Sequence, residues 1–163
     1  MELTFALLGL LLVLVVIFFA VSCAFLLKFF IKSAPKDVQE RMKGRLDQPA
    51  WKTALGVVLI LAVSAGVIAI FIYAGNDAMS RGWGFWQIFV RYLILFEGYK
   101  IFDMVVFDYI LLTRLNIFQH FYPEVIGCES MEHYGFNLKS QLVKIVVFAI
   151  VSAVVAFVLV QVR

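Results

Sequence analysis

The run from Leu3 to Leu27 holds no charged residue across 25 positions. About 20 apolar residues are enough to carry a helix across about 30 Å of hydrocarbon. A segment this long and this apolar leaves few alternatives to a membrane crossing. Two further runs are similar. Ala54 to Ala74 is uncharged for 21 residues, and Leu142 to Val162 carries one charge, Lys144, near its start. The last run holds nine valines. In water they would favour strands, but in lipid each segment must satisfy its own backbone, so a helix is expected. Hydrophobic residues make up 64% of the 163-residue chain and charged residues 15%. A soluble domain has too little interior to hide that much apolar surface. Two cysteines exclude a disulfide scaffold, and the apolar content excludes disorder.

A fourth crossing is expected over residues 91–114. Arg91 and Arg114 are 23 steps apart, about 34 Å at the helical rise, which suits one crossing with an arginine snorkelling at each end. Trp83, Phe85 and Trp86 supply an aromatic belt at one end, and Tyr109, Phe118, Phe121 and Tyr122 at the other. Charge bias points the same way. With four spans (3–27, 54–74, 91–114 and 142–162), the connections 28–53 and 115–141, together with Arg114 and Lys144 at the span ends beside them, hold ten Lys and Arg, against three on the other side. The positive-inside rule then places both connections, including the basic loop 28–52, in the cytoplasm and both termini outside. The fold class is therefore all-α, a polytopic membrane protein built as one four-helix bundle. The N-terminal run lacks a basic n-region and has an apolar core longer than a signal peptide needs, so it is expected to stay uncleaved.

Between the spans, Pro35 should stop the first helix. Val38, Met42 and Leu46 then share one helical face, with Arg41, Lys43 and Arg45 around it. That pattern suits a basic connection that sets topology. Gly75 to Gly84 is expected to be a short outer turn. Ala62 and Gly66, Ala65 and Ala69, Ala149 and Ala153, and Ser152 and Ala156 each stand four apart, a spacing that lets helix backbones approach closely.

The third span carries the main polar constellation: Glu97, Lys100, Asp103 and Asp108. Each costs at least about 2.5–3.5 kcal/mol if left charged against lipid at mid-depth. On an α-helical wheel Glu97 and Asp108 fall on nearly one side, and Lys100 reaches Glu97 or Asp103, each three residues away. Three acids against one base leave an excess of negative charge. Asp103 is expected to be the proton or cation site, with Glu97 and Lys100 coupled to it and Asp108 as the inner relay. The same four residues also suit a structural network. A second cluster lies in the inner loop: His120, Glu124, Cys128, Glu129, Glu132 and His133. His120 with Glu124, and Glu129 with His133, have i, i+4 spacing, but no diagnostic metal pattern is met and Pro123 interrupts the first pair. No metal site, cofactor or nucleic-acid partner is expected. The expected partners are the lipid bilayer and a membrane protein or second copy of the chain.

From the third span to the last, Asp103, Asp108, Pro123, Gly127, Glu129, Tyr134, Gly135 and Phe136 form a pattern. It resembles a group of uncharacterised small four-helix bacterial integral membrane proteins, over roughly residues 97–137. Pro123 and Gly127 are separated where the group places them together, and Asn137 stands where a His is common. The resemblance implies a topology and a bacterial inner membrane, with the Asp103 helix and the Glu129 loop acting as one unit. It implies no activity. Three function classes follow from the residues: a transport-like protein or transport subunit, a non-catalytic assembly or regulatory subunit, and a membrane enzyme using Glu129, His133 or Cys128 at the inner face.

Overall fold

Long uncharged runs with few glycines and prolines favour continuous helix, and helix is what forms. The structure, a computed structural model, describes residues 1–32, 34–45, 48–132 and 138–162, with backbone alone at residues 30, 45, 131, 132 and 138. Among the described residues there is no strand. The fold is all-α. Its helices are α1 (Glu2–Phe25), α2 (Leu27–Ile31), α3 (Lys36–Met42), α4 (Ala50–Ser80), α5 (Phe85–Phe102), a π-helical segment (Asp103–Arg114), α6 (Ile117–Phe121), α7 (Glu129–Glu132) and α8 (Leu138–Val162). Short 3-10 turns follow α3 and α6. Leu46 of the expected α3 face, and Tyr134, Gly135, Phe136 and Asn137 of the resemblance, lie outside the described residues.

Among the described residues, three helices are long and apolar enough to cross a membrane: α1, α4 and residues 139–162 of α8. The expected fourth, 91–114, differs from them. It is helical throughout, but it is split between the end of α5 and the π-helical segment, and Arg91, Glu97 and Lys100 interrupt its apolar sequence. The turn expected over Gly75 to Gly84 is also shorter. α4 runs through Gly75, Asn76 and Asp77 to Ser80, leaving Arg81 to Gly84 to turn, with Gly82 at φ 68°. Asp77 stays helical because its carboxylate is held by arginines. At Gly75 the missing side chain lets α5 come close, since a Cβ there would stand 2.9 Å from the Tyr92 hydroxyl.

The chain divides into two compact units. The first comprises Met1–Val15, Ala65–Asp103 and Asn137–Arg163. Its core joins Leu7 and Leu11 of α1, Ile70, Ala74 and Ala78 of α4, Ile88, Tyr92 and Leu95 of α5, and Ala156 of α8. These positions recur at three and four residues, so each helix turns one stripe inward. α5 lies along α8, and Phe96 stacks on Phe71 at 4.6 Å and on Phe148 at 5.4 Å. Of the small-residue pairs, Ser152 and Ala156 are fully buried, whereas Ala65 and Ala69 are exposed.

The second unit comprises Val16–Ser64 and Met104–Phe136. Leu27, Ile31, Val38, Met42, Phe118, Val125 and Cys128 form its core. The apolar face of α3 therefore packs on protein. Pro35 has no N–H to donate and opens α3, while the Gln39 amide donates to the carbonyls of Ala34 at 2.7 Å and Lys32 at 3.2 Å that α2 leaves behind. Helix continuity is lost at Leu26, and the Tyr122 hydroxyl donates to the Cys23 carbonyl at 3.1 Å. In the π-helical segment the backbone and side chains pair five apart: Leu115 N–H to Ile110 O at 2.9 Å, Thr113 Oγ1 to Asp108 O at 2.8 Å and Arg114 Nε to Tyr109 Oη at 2.9 Å. Asn116, at φ 48°, ends it in the left-handed region that Asn tolerates.

Candidate functional site

α5 presents Glu97 and Lys100 one turn apart and ends against Asp103. Lys100 is 2% exposed, and its Nζ donates to Asp103 Oδ2, closing an ion pair three residues apart. Of the two acids that spacing allowed, Asp103 receives the lysine. Glu97 does not share it, and its Oε1 is buried with no hydrogen-bond partner. A buried carboxylate oxygen without a donor is costly. Next to it Gly98 lets α1 come close, because a Cβ there would stand 2.9 Å from a methyl of Leu8. Asp108 belongs to the π-helical segment. The α-helical wheel that put Glu97 and Asp108 on one side stops applying at Asp103, where the backbone pairing changes from four residues to five.

The structure also builds a polar site that residue spacing had not indicated. Arg91 was expected to snorkel at a membrane edge. Instead it is 1% exposed. Its Nε donates to Thr4 Oγ1 at 3.2 Å, and its Nη1 donates to Ala74 O and to Asp77 Oδ2, each at 2.8 Å. The guanidinium lies 3.9 Å from the centre of the Trp83 ring, a cation–π contact. Arg81 donates to the other Asp77 oxygen at 2.8 Å from an exposed position. One planar fork thus ties α1, α4 and α5 together, a task suited to Arg rather than Lys. A usable signal was present in the sequence. Asp77 and Arg91 flank a four-residue turn, and opposite charges flanking a helical hairpin turn come to face each other.

The described members of the loop cluster do not gather. His120 is exposed, its ring edge-on to Phe121. Pro123 opens a 3-10 turn, so His120 and Glu124 do not share a helix. Cys128 is a core residue of the second unit, and burial pushes its thiol pKa up, assisted by the charge of Asp37. Glu129 is exposed at the start of α7. The side chain of Glu132, and all of His133, lie outside the described residues. Among the described residues no three His, Cys, Asp or Glu side chains gather as a metal ion would need. What the loop does build is a contact with α3. Asp37 accepts from Ser130 N–H at 3.2 Å and from Ser130 Oγ at 2.7 Å, and the hydroxyl bond holds the Asp37 carboxyl below its ordinary pKa. Arg41 Nη1 donates to Ile126 O at 3.1 Å. An open cavity of about 660 Å³ lies between these groups, with Gly127, Cys128 and Glu129 on its wall.

No protein-family model, curated protein or solved structure matches this chain.

Proposed function

We propose that this chain is an integral membrane protein with four crossing helices, in which Glu97 is the proton- or cation-binding group of a transport-like protein or of a subunit in a transport complex. The observation that carries the site is the buried Glu97 oxygen without a donor, one turn from a Lys100–Asp103 pair that has already neutralised itself. This shifts the binding role from Asp103, whose charge Lys100 offsets, to Glu97.

The membrane reading is supported by the outer faces of the three apolar helices. Only 17%, 17% and 11% of their most apolar windows are buried within the chain. Phe5, Val58, Leu61, Val146, Ile150 and Phe157 are among the large apolar side chains left exposed, and hydrocarbon is the solvent that covers them without cost. The fourth crossing carries its own polar compensation. Arg91 is closed by Asp77 and Thr4, and Lys100 by Asp103. Glu97 stands six residues in from Arg91, about 9 Å along the axis and inside the hydrocarbon of a crossing over 91–114. A carboxylate at that depth needs a proton, a cation or a partner's counter-charge. The basic connections 28–53 and 115–141 face the cytoplasm of a bacterial inner membrane in this arrangement, with the termini outside.

The test is proton or cation flux in liposomes containing the purified protein and an internal pH-sensitive dye. Glu97→Gln is expected to abolish flux and to leave helix content and unfolding unchanged. Asp103→Asn should reduce both flux and stability, because it strands Lys100. Flux that survives Glu97→Gln overturns the site, and no flux from the parent protein overturns the transport reading.

A further inference from the structure

The second unit contains a cavity that the Glu97 reading does not use. It has a volume of about 320 Å³ and lies between the last turns of α1 and the segment from Leu111 to Tyr122. Ala20 and Ala24 are small and leave space beside Phe19, Leu112, Phe118 and Tyr122. Phe19 is held by stacking on Phe107 at 4.6 Å. The polar group on the wall, the Tyr122 hydroxyl, is turned onto the Cys23 carbonyl. The interior therefore suits an alkyl chain and offers little to a polar ligand.

The two walls of this cavity run out into basic residues. Lys28 follows Ala24 by four residues and Lys32 by eight, and Arg114 follows Leu112 by two; all three are exposed. Four residues are about 6 Å of helix, roughly the step from the last acyl carbons to a headgroup. Neither wall carries an acid: residues 3–36 and 109–123 contain no Asp or Glu. An apolar slot whose walls continue along the chain into Lys28, Lys32 and Arg114 is complementary to a chain with an anionic head.

We propose that this cavity holds one acyl chain of an anionic diacyl phospholipid of the cytoplasmic leaflet, with the phosphate facing Lys28, Lys32 and Arg114. The proposal rests on the membrane reading above but not on transport at Glu97. It gives the basic loop a ligand as well as a topological role.

The experiment is native mass spectrometry of the detergent-purified protein offered equal amounts of a phosphatidylglycerol and a phosphatidylcholine of the same chain length. The parent protein is expected to retain one phosphatidylglycerol. Ala24→Phe and, separately, Ala20→Phe fill the slot from exposed positions and should lower retention of either lipid about tenfold, the equivalent of roughly two buried methylenes. Lys28→Gln and Lys32→Gln should each cut the preference for phosphatidylglycerol about fivefold while phosphatidylcholine still binds. Unchanged retention in both filled variants overturns the proposal. So does an unchanged preference in the lysine variants, or a bound detergent or free fatty acid in place of phospholipid. A carbonate wash of the source membranes separates the two levels. Protein released by the wash overturns the membrane reading as well, whereas protein that stays in the pellet but shows no lipid preference overturns only the lipid site.

Discussion

The Arg91 site makes a prediction whose asymmetry comes directly from its geometry. Asp77 has two arginine partners, and Arg91 has one carboxylate. Replacing Arg91 by Met removes the fork but leaves Asp77 paired with Arg81. It also removes a guanidinium that was costly to desolvate, and Met keeps much of the stem packing. The loss is the charged hydrogen bond, worth about 1.5–3 kcal/mol, and the contact with Trp83, about 0.5–2 kcal/mol, offset by that relief. About 1–3 kcal/mol remains. Replacing Asp77 by Ala instead leaves the Arg91 charge fully buried with only a hydroxyl and a carbonyl as acceptors, and breaking a buried pair in this way costs about 3–5 kcal/mol. The double variant has no stranded charge, so it should be no less stable than Asp77→Ala alone. That gives a coupling of about 2 kcal/mol. Reversible unfolding in mixed micelles, by titrating a denaturing detergent and following helix content, measures all three. An Arg91→Met cost above that of Asp77→Ala, or a double variant equal to the sum of the singles, would refute the reasoning.

Two further predictions concern the second unit. A Cβ at Gly56 would stand 2.6 Å from Phe25 Cβ and 2.9 Å from Leu26 Cγ, neither at the free end of a side chain, so Gly56→Ala should destabilise by about 1–3 kcal/mol in the same micelle titration, whereas Gly44→Ala, with open space around it, should not. The Asp37 carboxyl titrates below its unfolded value because Ser130 donates to it, so its contribution is fully present above the ordinary carboxylate range and is lost as pH falls through the lowered pKa; the protection of the Ser130 amide against exchange, relative to its intrinsic rate at each pH, should fall on acidification below about pH 4, and a Ser130→Ala variant whose α7 retained the same acid sensitivity would sink this account.

How far the chain was legible depended on whether a feature is local. The runs at 3–27, 54–74 and 142–162 are self-contained, and each forms a helix, the first as far as Phe25, because little in its own residues competes with one. The Lys100–Asp103 pair was legible for the same reason, since three residues on an α-helix are neighbours whatever surrounds them. Arg91 was not. Its partners come from positions 4, 74, 77 and 83, and snorkelling is the sound expectation for an arginine considered alone at the edge of an apolar run. The length of α4 was misjudged for a related reason. Gly75, Asn76 and Asp77 form a turn signature in isolation, and the tertiary contacts of Asp77 and Gly75 override it.

The π-helical segment shows where a periodicity argument fails and what replaces it. Residues 103–114 contain no proline or glycine, so nothing in their propensities separates five-residue from four-residue pairing. The side chains do separate them. Thr113 reaches back five residues to a carbonyl and Arg114 reaches back five to a phenol, contacts that an α-helix places off register. Both hold the wider turn from its C-terminal end. At its start stands Asp103, taken up by Lys100. The change of pitch therefore begins at the residue where the charges of α5 are settled. Beyond that point an acid such as Asp108 cannot be assigned to a face by counting from Glu97. Within α5, where counting holds, Arg91 and Lys100 are each matched by an acid, and Glu97 keeps one buried oxygen without a donor.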